Sequence, residues 1–385
     1  MSSSIEFSAI AEWLRAITSV TMVCATLITT SIVGGAQATA KAQDGQTASQ
    51  ATNPPPAAAA QDAAQPYPEF AIPPQADRKA LEKIVAAAKL AQPTDLAQYR
   101  AMQTAIRDGS NALLKLIKDE NDPVRLQAEL DSLSSSAALM VNDTQASREE
   151  VLERTLSHLE KKEKLTLADV QTGMMVAFYL ELQPQKSPAR DVYAMIEERL
   201  ENDQREEMQA LRLNLQANIR RLELLGNKFE LDAKSISGKS IKTDDYAGKF
   251  LLVHFFATSA APSLAEVPRL QKHYAKYRDK GLEVVAISID TERPALDKYL
   301  AENQLPWPTI YDDAAELKDK LQTKFGISSL PYVLLLNKEG VVVSLEARGP
   351  ELDRLMERIF EAPTPADVPQ PTPAPQPKSN ANPKK

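Results

Sequence analysis

Between residues 246 and 361 the sequence alternates short apolar runs with stretches of helical period, and that alternation leaves few folds open. Phe250-Leu251-Leu252-Val253-His254-Phe255-Phe256 reads as a buried strand, led in by the turn-like Tyr246-Ala247-Gly248-Lys249. Leu264, Val267, Leu270, Tyr274 and Tyr277 then recur at the spacing of one helical stripe. Gly281 suits the end of that helix, and 282–288 is a second strand. The pattern continues with a helix over about 294–303, a short strand at 309–311 and a helix over about 314–325. Two β-branched and apolar runs, 332–337 and 341–344, flank the turn Lys338-Glu339-Gly340 and predict a hairpin. A helix over about 351–360 closes the series.

The segment from His254 to Pro268, H-F-F-A-T-S-A-A-P-S-L-A-E-V-P, resembles N-F-W-A-T-W-C-x-P-C-x-x-E-x-P of the TlpA/ResA-type proteins, within the AhpC/TSA–redoxin superfamily. These are exported, often membrane-anchored thioredoxin-like thiol–disulfide oxidoreductases. The resemblance covers residues 226–361. It implies a thioredoxin fold, with Leu330-Pro331 at the place of a cis-proline facing the active-site loop, where an X–Pro bond tolerates the cis form. It matches Glu266 to an acid kept beside the active-site helix, and His254 to a strand position that holds a buried acid or an Asn. The stretch from Gly238-Lys239 to Gly248-Lys249 is similar to the family's lead-in.

On this match Ala260 and Ser263 take the two cysteine positions, so no residue is assigned a catalytic role. Thiol–disulfide exchange needs a thiolate that attacks sulfur. Ala260 has no nucleophile, and Ser263 has a hydroxyl of high pKa with no sequence-adjacent His or Asp to activate it. A peroxidatic cysteine near Thr258 is missing as well. The one cysteine in the chain is Cys24, within the apolar N-terminal stretch. Its three histidines, His158, His254 and His273, are scattered, and no metal or other cofactor is indicated.

A net charge of −7 over 385 residues sets the chain apart from basic nucleic-acid binders, and no nucleic-acid partner is expected. Residues 1–40 hold an apolar stretch, 16–35, that ends near Ala36-x-Ala38 and Ala38-x-Ala40. This reads as a cleaved signal peptide, with an uncleaved anchor, and so a membrane tether, as the alternative. Export to the periplasm or cell envelope is expected either way. Residues 41–75 are rich in Ala, Gln and Pro and read as a disordered linker; residues 362–385 read as a disordered Pro/Lys tail.

Residues 76–225 read as an all-α domain of six or seven helices ahead of the α/β domain at 226–361. Predicted buried faces are Leu81/Ile84/Val85/Ala88, Met102/Ile106/Leu113/Ile117, Leu152/Leu156/Leu159 and Leu167/Val170/Met174/Phe178. Ser147 with Glu150 predicts a capping box, and Ser187 an N-cap before Pro188. The last helix, 208–225, runs straight into Gly226, so the two domains are expected to pack together. The acid-rich stretch 197–207 reads as a solvated helical face.

Three functions follow as expectations. The first is a binding module that pairs an extended peptide beside Pro331 and Leu330, with Thr258, His254 and Glu266 around it, for an exported protein or peptide partner. The second is the family's oxidoreductase activity. The third is a purely structural domain.

Overall fold

The computed structural model describes residues 68–140, 145–183, 185–314 and 320–361. The signal or anchor segment, most of the 41–75 linker, the 362–385 tail and part of the 314–325 helix lie outside these residues. The chain forms two compact units, one ending at Arg154 and the other beginning at Thr155.

The first unit is helical. It contains α1 (Arg78–Leu90), α2 (Leu96–Leu116), α3 (Pro123–Leu139) and the start of α4 (Gln145–Lys161). Each of the first three is started by an aspartate whose carboxylate accepts a free N–H of the first turn: Asp77 from Ala80, Asp95 from Gln98 and Asp122 from Val124. Joins of a few residues keep α1 beside α2 and α2 beside α3. Leu81, Val85 and Ala88 are buried as the periodicity predicts, and so are Met102, Ile106, Leu113 and Ile117.

The second unit combines helices with a sheet. Three helices come first: α5 (Leu167–Glu181), α6 (Ser187–Arg199) and α7 (Glu206–Glu223). Two of the predicted faces are displaced. In α4 the buried side chains are Val151, Thr155, His158 and Leu159, with Leu152 and Leu156 half-buried. In α5 they include Asp169, Val170, Gly173, Ala177 and Leu180, with Met174 and Phe178 half-buried. Asp169 explains the rotation of α5. It closes a capping box with Thr166 and binds His158 Nε2 at 2.8 Å, and this draws its own face inward. Ser147 lies inside α4 rather than at its cap, and Ser187 is the first residue of α6, after an N-cap at Lys186 that makes no side-chain bond.

The sheet follows. Its strands are β3 (Phe250–Phe256), β4 (Leu282–Ser288), β5 (Thr309–Tyr311), β6 (Tyr332–Leu336) and β7 (Val342–Ser344), preceded by a separate hairpin of β1 (Asp232–Lys234) and β2 (Ser240–Lys242). The spatial order is β5-β4-β3-β6-β7. β3, β4 and β5 are parallel, and β6 and β7 are antiparallel additions. Helices α8 (Ala261–Tyr277), α9 (Arg293–Glu302), α10 (Leu321–Lys324) and α11 (Gly349–Phe360) complete the thioredoxin layout. Gly281 ends the turn after α8 at φ 94°, where a Cβ would be disfavoured. One core joins Leu252 and Phe256 of β3 to Val267, Leu270 and Tyr277 of α8 and to Leu352, Leu355 and Met356 of α11.

Both outer strands are covered. Leu225 and Lys228 bridge to Val342 and Val341 beside β7, and Ser235 bridges to Ile310 of β5. The junction 225–236 therefore closes the sheet at each side and removes the open ladders that invite pairing. The change of composition at 225/226 separates kinds of secondary structure, whereas the compact units divide inside α4, so α5–α7 group with the sheet.

Candidate functional site

The register of β3 with β6 places the site. Phe255 pairs with Tyr332, so the loop leaving β3 (257–260) and the loop entering β6 (327–331) emerge side by side at one end of the sheet. The nine residues of these two loops, Ala257 to Ala260 and Ile327 to Pro331, carry no charged side chain.

Ala260 is the N-cap of α8 and offers no side-chain acceptor. Its carbonyl accepts the Ser263 N–H at 2.8 Å. Ser263 is fully buried, and its Oγ has no hydrogen-bond partner among the described residues. An unmet buried hydroxyl costs about 1–3 kcal/mol. A hydroxyl inside the helix–sheet interface, with no base on it, is unsuited to nucleophilic chemistry.

Thr258 is held in place. Its N–H and Oγ1 both donate to Asp290 Oδ1, at 2.8 and 2.6 Å, and Ser288 Oγ donates to Asp290 Oδ2 at 2.7 Å. This knot ties the exits of β3 and β4 together. Asp290 was not singled out in the sequence; the signal was the Ser288-Ile289-Asp290 run at a strand end, a pattern of local side-chain-to-backbone bonding.

His254 is buried in the middle of β3, with its ring stacked on Phe256 at 5.3 Å. Its Nε2 has no hydrogen-bond partner among the described residues. Burial drives its pKa down to about 3, so the ring is neutral near pH 7. Glu266 does not face the two loops as a free acid. It accepts the Gly349 N–H at 3.0 Å, at the start of α11, and lies 3.7 Å from Arg269. A carboxylate at that helix start is favoured by the dipole of α11.

The Leu330–Pro331 peptide is cis. Pro331 is buried, and its carbonyl accepts from Arg348 Nη1 at 2.9 Å. Leu330 is half-buried, Ser328 and Ser329 are exposed, and Leu330 makes no main-chain hydrogen bond among the described residues. The structure thus brings Thr258, Ala260, Leu330 and Pro331 to one end of the sheet, with Ser263 and His254 in the layer beneath and Glu266 committed to α11. Among the described residues no group of His, Cys, Asp and Glu is placed to hold a metal, and no helix is long and apolar enough to cross a membrane.

Residues 226–345 match the family model described as the AhpC/TSA family. The "Thiol-disulfide oxidoreductase ResA" of Oceanobacillus iheyensis is 29% identical over 123 residues, which cover 32% of this chain and 62% of that protein. The protein of the same description from Bacillus thuringiensis subsp. konkukian is 28% identical over 130 residues, 34% of this chain and 72% of its own length. Among solved structures, the thioredoxin domain of a Bacteroides vulgatus thiol-disulfide oxidoreductase is 26% identical with a TM-score of 0.33, covering 35% of this chain and 96% of that one. The fold itself follows from the strand order given above.

Proposed function

We propose that this chain, whose C-terminal domain belongs to the AhpC/TSA family of thioredoxin-like proteins, is an exported binding module that works without thiol chemistry. The observation that carries the reading is the Leu330 main chain, unpaired among the described residues, beside a site whose two cysteine positions hold Ala260 and Ser263. A thiolate cannot be supplied by Ala260 or by the buried Ser263, and Cys24 stands in the apolar N-terminal segment. Main-chain pairing needs only an accessible N–H and C=O, so it outlasts the loss of the cysteines. Among the described residues β5 and β7 are bridged by the 225–236 junction, and the Leu330 segment offers main-chain groups to which an extended chain can add hydrogen bonds. Because the two loops carry no charged side chain of their own, an extended segment of uncharged side chains fits best. Export rests on the apolar stretch 16–35 and its small-residue end, which also provides the alternative of a membrane tether.

The test uses unfolded α-lactalbumin, reduced and blocked with iodoacetamide so that it carries no thiol, as the probe. Wild type should bind it, and Ala261→Glu should weaken binding at least fivefold. Ala261 is exposed in the first turn of α8, where an acid favours the helix, so this variant stays folded. A wild type that fails to bind, or an unaffected Ala261→Glu, counts against the reading.

A further inference from the structure

The segment that carries Leu330 is fixed from outside the thioredoxin layout. Gly326 stands at φ +68°, and a Cβ there would lie 2.1 Å from the Ala217 carbonyl oxygen and 2.8 Å from the Arg221 nitrogen. The loop main chain therefore lies directly on the main chain of α7, an approach that only glycine allows. Arg220 Nε adds a bond to the Thr323 carbonyl at 3.1 Å. Phe325 between them stacks on Phe229 with ring centres 4.2 Å apart.

The other end of the segment lies beside Arg221. Its side chain is almost fully buried, and Nη2 reaches both oxygens of Glu181 on α5, at 2.8 and 2.7 Å. Tyr193 of α6 donates to the same carboxylate at 2.8 Å. Burial opposes the guanidinium charge, but Glu181 outweighs it and keeps Arg221 above its ordinary pKa. The buried Tyr332 hydroxyl lies beside this guanidinium, close enough to interact with its charge though without a hydrogen bond of ordinary geometry. Tyr332 is two residues past Leu330. So one buried cluster, with members from α5, α6 and α7, bears on the first residue of β6, while Gly326 bears on α7 four residues before Leu330.

We propose that α5–α7 is the positioning element of the segment from Gly326 to Tyr332 and that Arg221 is its positioning residue. The claim rests on the docking role assigned above to Leu330, but its geometry stands apart from it. A buried ion pair is poor at adding net stability relative to an apolar replacement, and its worth lies in fixing one arrangement. Here the arrangement fixed is the stretch that presents the Leu330 N–H and C=O.

Hydrogen exchange on the full chain across a guanidinium series tests this. The amides of Gly326 and Ile327, bonded to Thr323 and Gln322 at 3.2 and 2.8 Å, report on the segment. In wild type they should open in one step with the amides at the C-terminal end of α7. Arg221→Met should speed exchange at Gly326 and Ile327 at least tenfold more than at Val253 of β3 and Val285 of β4. Arg221→Lys should restore the segment to within threefold of wild type, and Tyr332→Phe should speed it about threefold. Affinity for blocked α-lactalbumin should fall at least fivefold in Arg221→Met and recover in Arg221→Lys. Opening of the segment independently of α7, or an equal rise at all strand amides, overturns the proposal. If Arg221→Met does not fold, wild-type co-opening and Tyr332→Phe decide. If wild type does not bind the probe, the docking role fails, and the exchange results still settle whether α7 positions the segment.

Discussion

Two buried polar places in the second unit are built in opposite ways. At the start of α8 and in β3, Ser263 Oγ and His254 Nε2 are buried and make no hydrogen bond among the described residues. Against α7, the buried Arg221 and Tyr193 and the half-buried Glu181 are joined to one another. The first place is where the family keeps its sulfurs; the second has no counterpart in the resemblance read from the sequence. The contrast teaches that the buried polar groups of β3 and the start of α8 do not hold the frame together. Packing of β3 on α8 and α11 does so, and the α7 cluster holds the segment before β6.

The largest effect expected from this contrast is on the paired side. Arg221→Met leaves the half-buried Glu181 carboxylate without its cation, and should lower the stability of the second unit by about 3 kcal/mol in chemical denaturation. A loss under about 1 kcal/mol would show that the cluster is not the anchor described here.

Gly326→Ala should come next. A side chain at positive φ costs about 1–2 kcal/mol before any clash, and the Ala217 carbonyl at 2.1 Å adds to that. The denaturation midpoint should fall, with Phe325 and α7 losing protection together. An unchanged midpoint would mean that loop and helix are not in contact.

The third effect is a pH dependence on the unpaired side. His254 has a folded-state pKa of about 3 against 6.5 when exposed. Between these values the unfolded chain binds the proton and the folded chain does not. Its contribution to stability is therefore complete above pH 6.5 and is lost as pH falls toward 3, by about 1.4 kcal/mol per pH unit. From pH 7 to pH 5 that is about 2 kcal/mol. The difference between wild type and His254→Asn over this range isolates the effect from carboxylates such as Asp169, whose pKa is held down mainly by His158 and Thr166 against the opposing effect of burial. Parallel pH profiles for the two proteins would contradict the burial of a neutral ring.

The smallest effect has the opposite sign to the first. Ser263→Ala removes a hydroxyl that has no partner, so stability should stay level or rise by up to about 1 kcal/mol. A loss above about 1 kcal/mol would show that Ser263 is bonded in solution and that the contrast is drawn in the wrong place.

Much of the sheet was legible because its signals are local. The runs 250–256 and 282–288 are strands over those same residues, and the hairpin at 332–344 and the cis bond before Pro331 follow the sequence reading. Hairpin β1–β2 was missed because Asp232–Lys234 and Ser240–Lys242 are three residues each, with one apolar side chain apiece, too short for an alternation to stand out. The face of α5 was misread because a buried Asp169 looks polar in a periodicity count. Glu266 was matched to an acid beside the active-site helix and placed around the binding segment, yet it accepts the Gly349 N–H, 83 residues away. Arg221 drew no notice on a helix rich in charges; its meaning depends on Glu181, 40 residues away, and on Tyr332 in another kind of element. Such pairings come from tertiary packing, which periodicity does not encode.

The central claim, a frame kept and a chemistry lost, is tested most directly by dithiothreitol-driven insulin reduction. Wild type is to be compared with the double variant Ala260→Cys/Ser263→Cys. The account predicts that wild type stays at the uncatalysed rate and that the double variant exceeds it, because α8 and the segment at Pro331 still present the two positions. Reduction by wild type above the uncatalysed rate would contradict it.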